Sequence, residues 1–311
     1  MKILILDQNH PILIDKLKAY HFKIEQDYTS SKAEIENKIA EYDGLIIRSR
    51  FTIDKVFIEQ AENLKFIGRV GAGMENIDTA HAESKNILLF NAPEGNRDAV
   101  GEHCLGMLLS IMNNFRVADA EVRNGIWQRE ENRGEEIMGK TVALIGYGNM
   151  GKAFAKKLQG FDANVICYDI KDGVGDENCR QTTMDEVYQT ADILSLHIPQ
   201  TPMTLGLVNE DYLAQFQKPI YLVNTARGKS VVTTALVKAL QSGKVKAAGL
   251  DVLEYEKTSF EQLHLETLPK ALDYLLQSNR VLLTPHIAGW THESKIKLAE
   301  VIANKIIQYF G

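Results

Sequence analysis

Short apolar runs alternate with amphipathic stretches from the first residue: KILIL, a helical pattern over Ile12 to Tyr20, FKI, another over Ser31 to Glu41, then GLII. Apolar runs separated by helix-period stretches predict βαβ units and a parallel sheet. The rhythm continues through a helix over Asp54 to Glu62, the strand KFIGRV, a short helix after Ile77 and the strand ILLF, so a first domain ends near Pro93. An apolar stripe then runs from Asn96 to Asn124 through Val100, Cys104, Leu105, Leu108, Leu109, Met112 and Phe115, predicting one long bridging helix. A second series opens at TVALIGYG and runs through NVICYD, DILSLH, IYLVNTA, AAGLDV and VLLTPH, giving six candidate strands. Thr291 to Phe310 predicts one closing helix that returns to the first domain.

The 311 residues are too many for one comfortable core, which agrees with two domains. A net charge of −6 supplies no basic field for nucleic acid or an anionic membrane, so any anionic ligand has to be met locally. The three cysteines, Cys104, Cys167 and Cys179, are odd in number and lack metal-ligand spacing. A disulfide framework and a metal site are not expected, and a reducing cytoplasm is. No apolar run approaches the length of a membrane span, and neither signal peptide nor anchor is read.

Gly146-Tyr147-Gly148-Asn149-Met150-Gly151 is a G-x-G-x-x-G between the strand TVALI and a helical stretch. In that context the first glycine permits a tight turn, the second admits a pyrophosphate against backbone, and the third lets helix and strand pack closely. Asp169 follows the next strand at the spacing of a carboxylate that accepts from an adenosine ribose and repels a 2′-phosphate. NAD is the expected cofactor, with Lys171 leaving some tolerance for NADP. The expected architecture is α/β, with two doubly wound parallel-sheet domains: a flavodoxin-like substrate domain over 1–95 plus 287–311, and a Rossmann NAD-binding domain over 96–286.

Three further segments each follow an apolar strand: Asn224-Thr225-Ala226-Arg227-Gly228, the run from Gly249 to Glu256, and Thr284-Pro285-His286-Ile287-Ala288-Gly289. Taken singly, Arg227 reads as a surface ion-pair partner and Glu256 as a solvated residue. With Val70-Gly71-Ala72-Gly73, Asn91 to Asn96, Glu102-His103 and Leu196 to Pro199, however, the ordered set resembles the D-isomer-specific 2-hydroxyacid dehydrogenase family over essentially the full length. The resemblance implies an active site in the cleft between the domains, with Arg227, Glu256 and His286 as the catalytic set. His286 is then the general acid/base, Glu256 its carboxylate partner, and Arg227 the grip on the substrate carboxylate. Asp251 is expected at the nicotinamide carboxamide, and backbone amides of Gly71, Ala72 and Gly73 at the substrate carboxylate. The cofactor set implied is Gly146, Gly148, Asn149, Met150, Gly151, Asp169, His197, Pro199, Thr204, Thr225, Ala226, Asp251, Ala288 and Gly289, with His197 as wall rather than chemistry. His10, His21, His81, His103 and His264 are expected to be structural.

Arg48 in GLIIRSR and Arg69 in FIGRVGAG resemble arginines that meet anionic substrate groups in the phosphoglycerate dehydrogenase branch; alternatively they cap strands or pair with carboxylates. The expected reaction is oxidation of D-3-phosphoglycerate, the entry to serine synthesis. The alternatives are reduction of glyoxylate, hydroxypyruvate or another small 2-keto acid, and an NAD-sensing corepressor-like binding role. A homodimer is expected, as is an absence of nucleic-acid and membrane partners. Two features depart from the family pattern: Lys257 opens a longer segment, expected to form an extra helix, and Trp290 stands where a small residue is common. The end at Gly311 leads to an expectation of no serine feedback through a C-terminal sensing domain.

Overall fold

The computed structural model describes residues 1–256 and 268–311 and divides into two compact units, Met1–Arg97 with Trp290–Gly311 and Asp98–Gly289. The first carries β1 (Lys2–Ile5), α1 (Ile12–Ala19), β2 (Lys23–Gln26), α2 (Lys32–Glu36), β3 (Gly44–Ile47), α3 (Lys55–Gln60), β4 (Phe66–Arg69), α4 (Thr79–Ser84) and β5 (Leu88–Phe90). Helix α5 (Pro93–Met112) contains the division and α6 (Phe115–Arg123) follows it. The second unit continues with β6 (Thr141–Ile145), α7 (Asn149–Lys157), β7 (Asn164–Tyr168), β8 (Arg180–Gln181), α8 (Met184–Thr190), β9 (Ile193–Leu196), α9 (Glu210–Ala214), β10 (Ile220–Asn224), α10 (Thr233–Ser242), β11 (Val245–Leu250), α11 (Lys270–Gln277) and β12 (Val281–Leu283). Helix α12 (His292–Phe310) belongs to the first unit.

All strand pairs within the two sheets are parallel, in the orders β2-β1-β3-β4-β5 and β12-β11-β10-β9-β6-β7-β8. The first is the flavodoxin-like order, and the second is the dinucleotide-binding order with one strand added at its edge. Each sheet is buried on both faces, because the strand period of two sends alternate residues to opposite cores. Ile3 and Ile5 join one cluster while Leu4 and Leu6 join another; Ala143 and Ile145 part in the same way from Val142 and Leu144. Each fully buried Ile or Leu contributes about 1.5–3 kcal/mol, so both sheets are fixed in register by their cores. Helix α12 lays Ala299, Ile302, Ala303 and Ile306 on its own sheet, one face at helical spacing, and is started by the Thr291–Ser294 capping box.

The single helix expected over Asn96 to Asn124 is two. Asn114 adopts the left-handed conformation at φ 54° and separates α5 from α6, a conformation Asn tolerates better than most residues. The second sheet has a seventh strand, the two-residue β8, too short to carry a period. Of the extra helix expected beyond Lys257, α11 is observed, while 257–267, including His264, lie outside the described residues. Among the described residues no helix is long and apolar enough to cross a membrane, and no group of three potential ligands gathers for a metal.

Two glycines of α5 make opposite demands. A methyl on Gly95 would lie 2.7 Å from the Leu298 amide nitrogen of α12, whereas one on exposed Gly106 meets nothing within 4 Å. Gly95→Ala is expected to lose about 1–3 kcal/mol through backbone displacement. Gly106→Ala should gain up to about 1 kcal/mol from helix propensity. Urea midpoints that move together in the two variants would contradict this packing.

Candidate active site

Strands β10, β11 and β12 are neighbours, with Asn224 in register beside Leu250 and Leu250 beside Leu283. Adjacent strands run about 4.8 Å apart, so the residues that follow leave the sheet side by side at its carboxyl edge. That register brings together the loops of Arg227, Asp251 to Glu256, and His286.

Each loop is held by a buried polar group. Asn224, with no exposed surface, accepts from the Ala226 N–H through Oδ1 at 3.0 Å and donates through Nδ2 to the Arg227 carbonyl at 3.0 Å. The turn carrying Arg227 is therefore pinned at both ends of one amide side chain, and Arg227 Nη1 donates to the Ala226 carbonyl at 2.7 Å. Thr225 Oγ1 lies 3.0 Å from the Cys104 thiol, which burial pushes up to about 12. Cys104 is thus a packing residue.

His286 has a left-handed backbone, φ 56°, unusual for a residue with a Cβ. Its N–H donates to the Asp251 carbonyl at 2.8 Å, while the Ile287 and Ala288 N–H groups donate to Asp251 Oδ1 and Oδ2 at 2.9 and 2.8 Å. Asp251 is 1% exposed, so these charge-assisted bonds replace its lost water. Thr284 also donates its hydroxyl to Asp251 Oδ1 and lies 3.1 Å from His103 Nε2. The turn in turn presents the imidazole: His286 Nδ1 lies 2.7 Å from Glu256 Oε2, and Glu256 Oε1 accepts from the Leu253 N–H. A carboxylate only accepts, so Nδ1 carries the hydrogen, and in the neutral form of the ring the lone pair is on Nε2.

The glycine loop fits a dinucleotide. Gly146 has φ +90°, and a Cβ there would lie 2.6 Å from the His197 carbonyl oxygen; one on Gly151 would collide with the Gly146 carbonyl. Gly148, by contrast, faces open space at the start of α7, whose first residues are Asn149 and Met150. Backbone N–H groups at a helix start bordering open space suit a pyrophosphate. Asp169 already accepts from the Tyr147 and Lys171 N–H groups at 2.7 and 2.9 Å, which fixes the carboxylate at the end of β7. Thr204 Oγ1 donates to the Pro199 carbonyl at 2.7 Å and so closes the loop beyond β9. Ala226 and Ala288 are buried, and Gly289 ends the second unit. The His197 ring lies 2.9 Å from Ser195 Oγ and against Phe154, with Nδ1 buried and unpartnered.

In the first unit, Arg48 and Arg69 stand at the carboxyl ends of adjacent strands β3 and β4, and Arg69 Nε donates to the Arg48 carbonyl at 3.0 Å. The Gly71 N–H, expected to face a substrate carboxylate, donates instead to the Arg69 carbonyl at 2.8 Å. The bare α-carbon of Gly71 makes room for the Arg69 guanidinium, which a Cβ would strike. The Ala72 carbonyl is taken by Asn91 Nδ2 at 2.7 Å. Ala72 and Gly73 N–H groups donate to no backbone carbonyl among the described residues.

Residues 105–288 match the NAD binding domain of the D-isomer specific 2-hydroxyacid dehydrogenases. The chain belongs to this family. It is 32% identical over 306 residues to the hydroxypyruvate reductase of Thermotoga maritima, covering 97% of both chains. Over 310 residues it is 32% identical to the D-3-phosphoglycerate dehydrogenase of Archaeoglobus fulgidus, with 99% of this chain but 57% of that protein covered. The chain thus spans little more than half the length of that archaeal relative. D-Lactate dehydrogenase from Aquifex aeolicus, crystallised with NAD and lactic acid, superimposes with a TM-score of 0.83 at 25% identity over 99% of this chain and 95% of that one.

Several polar groups of this family member hold the site without belonging to the expected functional set. His103 joins the Asp251–Thr284 network although it reads as a helix residue, and Asn224 and Thr284, which open two of the motif segments, carry no signal of their own for the bonds they make. His197 makes a measurable prediction. Burial holds its imidazole neutral, pushed down to about 3, because nothing compensates the buried Nδ1. Its folded pKa lies below the unfolded one, so its contribution is complete above about pH 6.5 and is lost as pH falls toward 3. Wild-type stability in urea should fall by up to about 1.4 kcal/mol per pH unit more steeply below about pH 6.5 than that of His197→Gln. Parallel pH profiles for the two proteins would remove the argument.

Proposed function

We propose that the chain is an NAD-dependent dehydrogenase that oxidises D-3-phosphoglycerate. The observation that carries the chemistry is the His286 Nδ1–Glu256 Oε2 contact of 2.7 Å, on a turn held left-handed by Asp251. With Nδ1 hydrogen-bonded to a carboxylate, Nε2 of His286 is the base that takes the C2 hydroxyl proton, and the Glu256 charge stabilises the imidazolium that forms. NAD, when bound, accepts the hydride. The fork of Arg227 grips the substrate carboxylate and meets the negative charge that grows on the C2 oxygen. The Ala72 and Gly73 N–H groups add donors for that carboxylate, and Arg48 and Arg69 take the phosphate. Asp169 accepts from the adenosine ribose and disfavours a 2′-phosphate.

Reduction of hydroxypyruvate or glyoxylate is the second reading, supported by the Thermotoga relative's near-complete overlap with this chain. A homodimer is the proposed assembly. Its support is the apolar surface that Phe115, Val122, Ile126 and Trp127 leave 57%, 53%, 44% and 76% exposed along and just after α6.

His286→Gln should lower kcat by about 10²–10⁴-fold with the fold retained. In wild type, kcat/KM for D-3-phosphoglycerate should exceed that for D-glycerate and D-lactate, and Arg48→Gln with Arg69→Gln should erase that preference. Equal losses on phosphorylated and plain acids would sink the phosphate assignment.

A further inference from the structure

Trp290 is 64% exposed, and its indole carries the guanidinium of Arg48, with Cζ 4.6 Å from the ring centroid. Both residues belong to the first unit. A scattered exposed aromatic needs no explanation by itself, but this one is built into place. Its backbone immediately precedes the capping box of α12, where the Thr291 N–H donates to Ser294 Oγ at 3.0 Å and Thr291 Oγ1 accepts from the Ser294 N–H at 3.0 Å. The backbone of Arg48 is equally fixed. Its N–H donates to Asp7 Oδ2 at 2.6 Å, and its carbonyl accepts from Arg69 Nε at 3.0 Å.

Among the described residues, the Arg48 guanidinium makes no hydrogen bond or ion pair of its own. Two cations therefore stand at neighbouring strand ends, one resting on an indole and the other over the bare α-carbon of Gly71. A guanidinium held over an aromatic ring leaves its N–H edge free, the edge that grips a phosphate or carboxylate by two parallel bonds. An unsupported side chain would lose more rotamer freedom on binding.

We propose that Trp290 is a positioning residue that acts through Arg48: the indole holds the guanidinium edge-on for the distal anionic group of the substrate and thereby favours hydroxy acids that carry a second anionic group over those with a carboxylate alone. This rests on the reaction proposed above and adds the residue that sets its selectivity.

The test is steady-state kinetics at saturating NAD on wild type, Trp290→Ala, Trp290→Phe, Arg48→Gln and the Trp290→Ala/Arg48→Gln double variant, with D-3-phosphoglycerate and D-glycerate. Trp290→Ala should raise KM for the phosphorylated acid about two- to fivefold, the scale of a cation–π contact at an exposed site, with kcat and the D-glycerate constants little changed. Trp290→Phe should restore most of the loss. In the Arg48→Gln background the same Trp290 change should have no further effect. Equal effects of Trp290→Ala on both acids, or additive effects of the two substitutions, overturn the inference. Should wild type turn over a different acid best, the assignment of D-3-phosphoglycerate fails separately. The double-variant cycle on that acid still decides, and additive or absent effects there also count against Trp290.

Discussion

Asp251 is a buried carboxylate met by two backbone N–H groups of one turn and by the Thr284 hydroxyl. Its carboxylate and carbonyl together receive the N–H groups of three consecutive residues, His286, Ile287 and Ala288. A β-carbon in left-handed backbone is strained, and strain of this kind persists only where surrounding bonds over-determine it. With that turn set, the imidazole meets Glu256, whose other oxygen is tied to the Leu253 N–H. The acid and its neighbouring strands thus fix the orientation of an imidazole at a sheet edge. The carboxylate expected at the nicotinamide is, in the structure, first the anchor of the turn.

The same logic of backbone held by buried polar side chains recurs around the sheet. Asn224 fixes the Arg227 turn, and Asp169 fixes Tyr147 within the glycine turn. Each lies at the carboxyl end of a parallel strand, where a doubly wound fold leaves a crevice and where loops need partners for amides that the sheet no longer satisfies. Orientation of the chemistry therefore follows from ordinary satisfaction of hydrogen bonds, with no separate scaffold.

Much of this was legible in the chain. Alternation of apolar runs with helical stripes announced two parallel sheets, because a strand buried on both faces has to be apolar throughout. The glycine turn was readable since three spaced positions, each excluding a side chain for a different steric reason, are hard to arrange otherwise. Tertiary effects were less visible. Asn114 interrupts a continuous apolar stripe by adopting a conformation that composition does not signal. His103 belongs to a helix in sequence and to the Asp251 network in space. Nothing local indicates that the Gly71 N–H folds back onto Arg69.

The division of the chain assigns different work to different stretches. The glycine turn, Arg227, Glu256 and His286 are all encoded between Asp98 and Gly289, while Arg48, Arg69 and Trp290 belong to the other unit. Under the proposed roles, redox machinery and choice of acid are written on separable pieces of one polypeptide. Substitutions at three positions of the smaller piece could retune which metabolite is accepted while the hydride chemistry stays intact, so a lineage could explore new substrates without reinventing its catalyst.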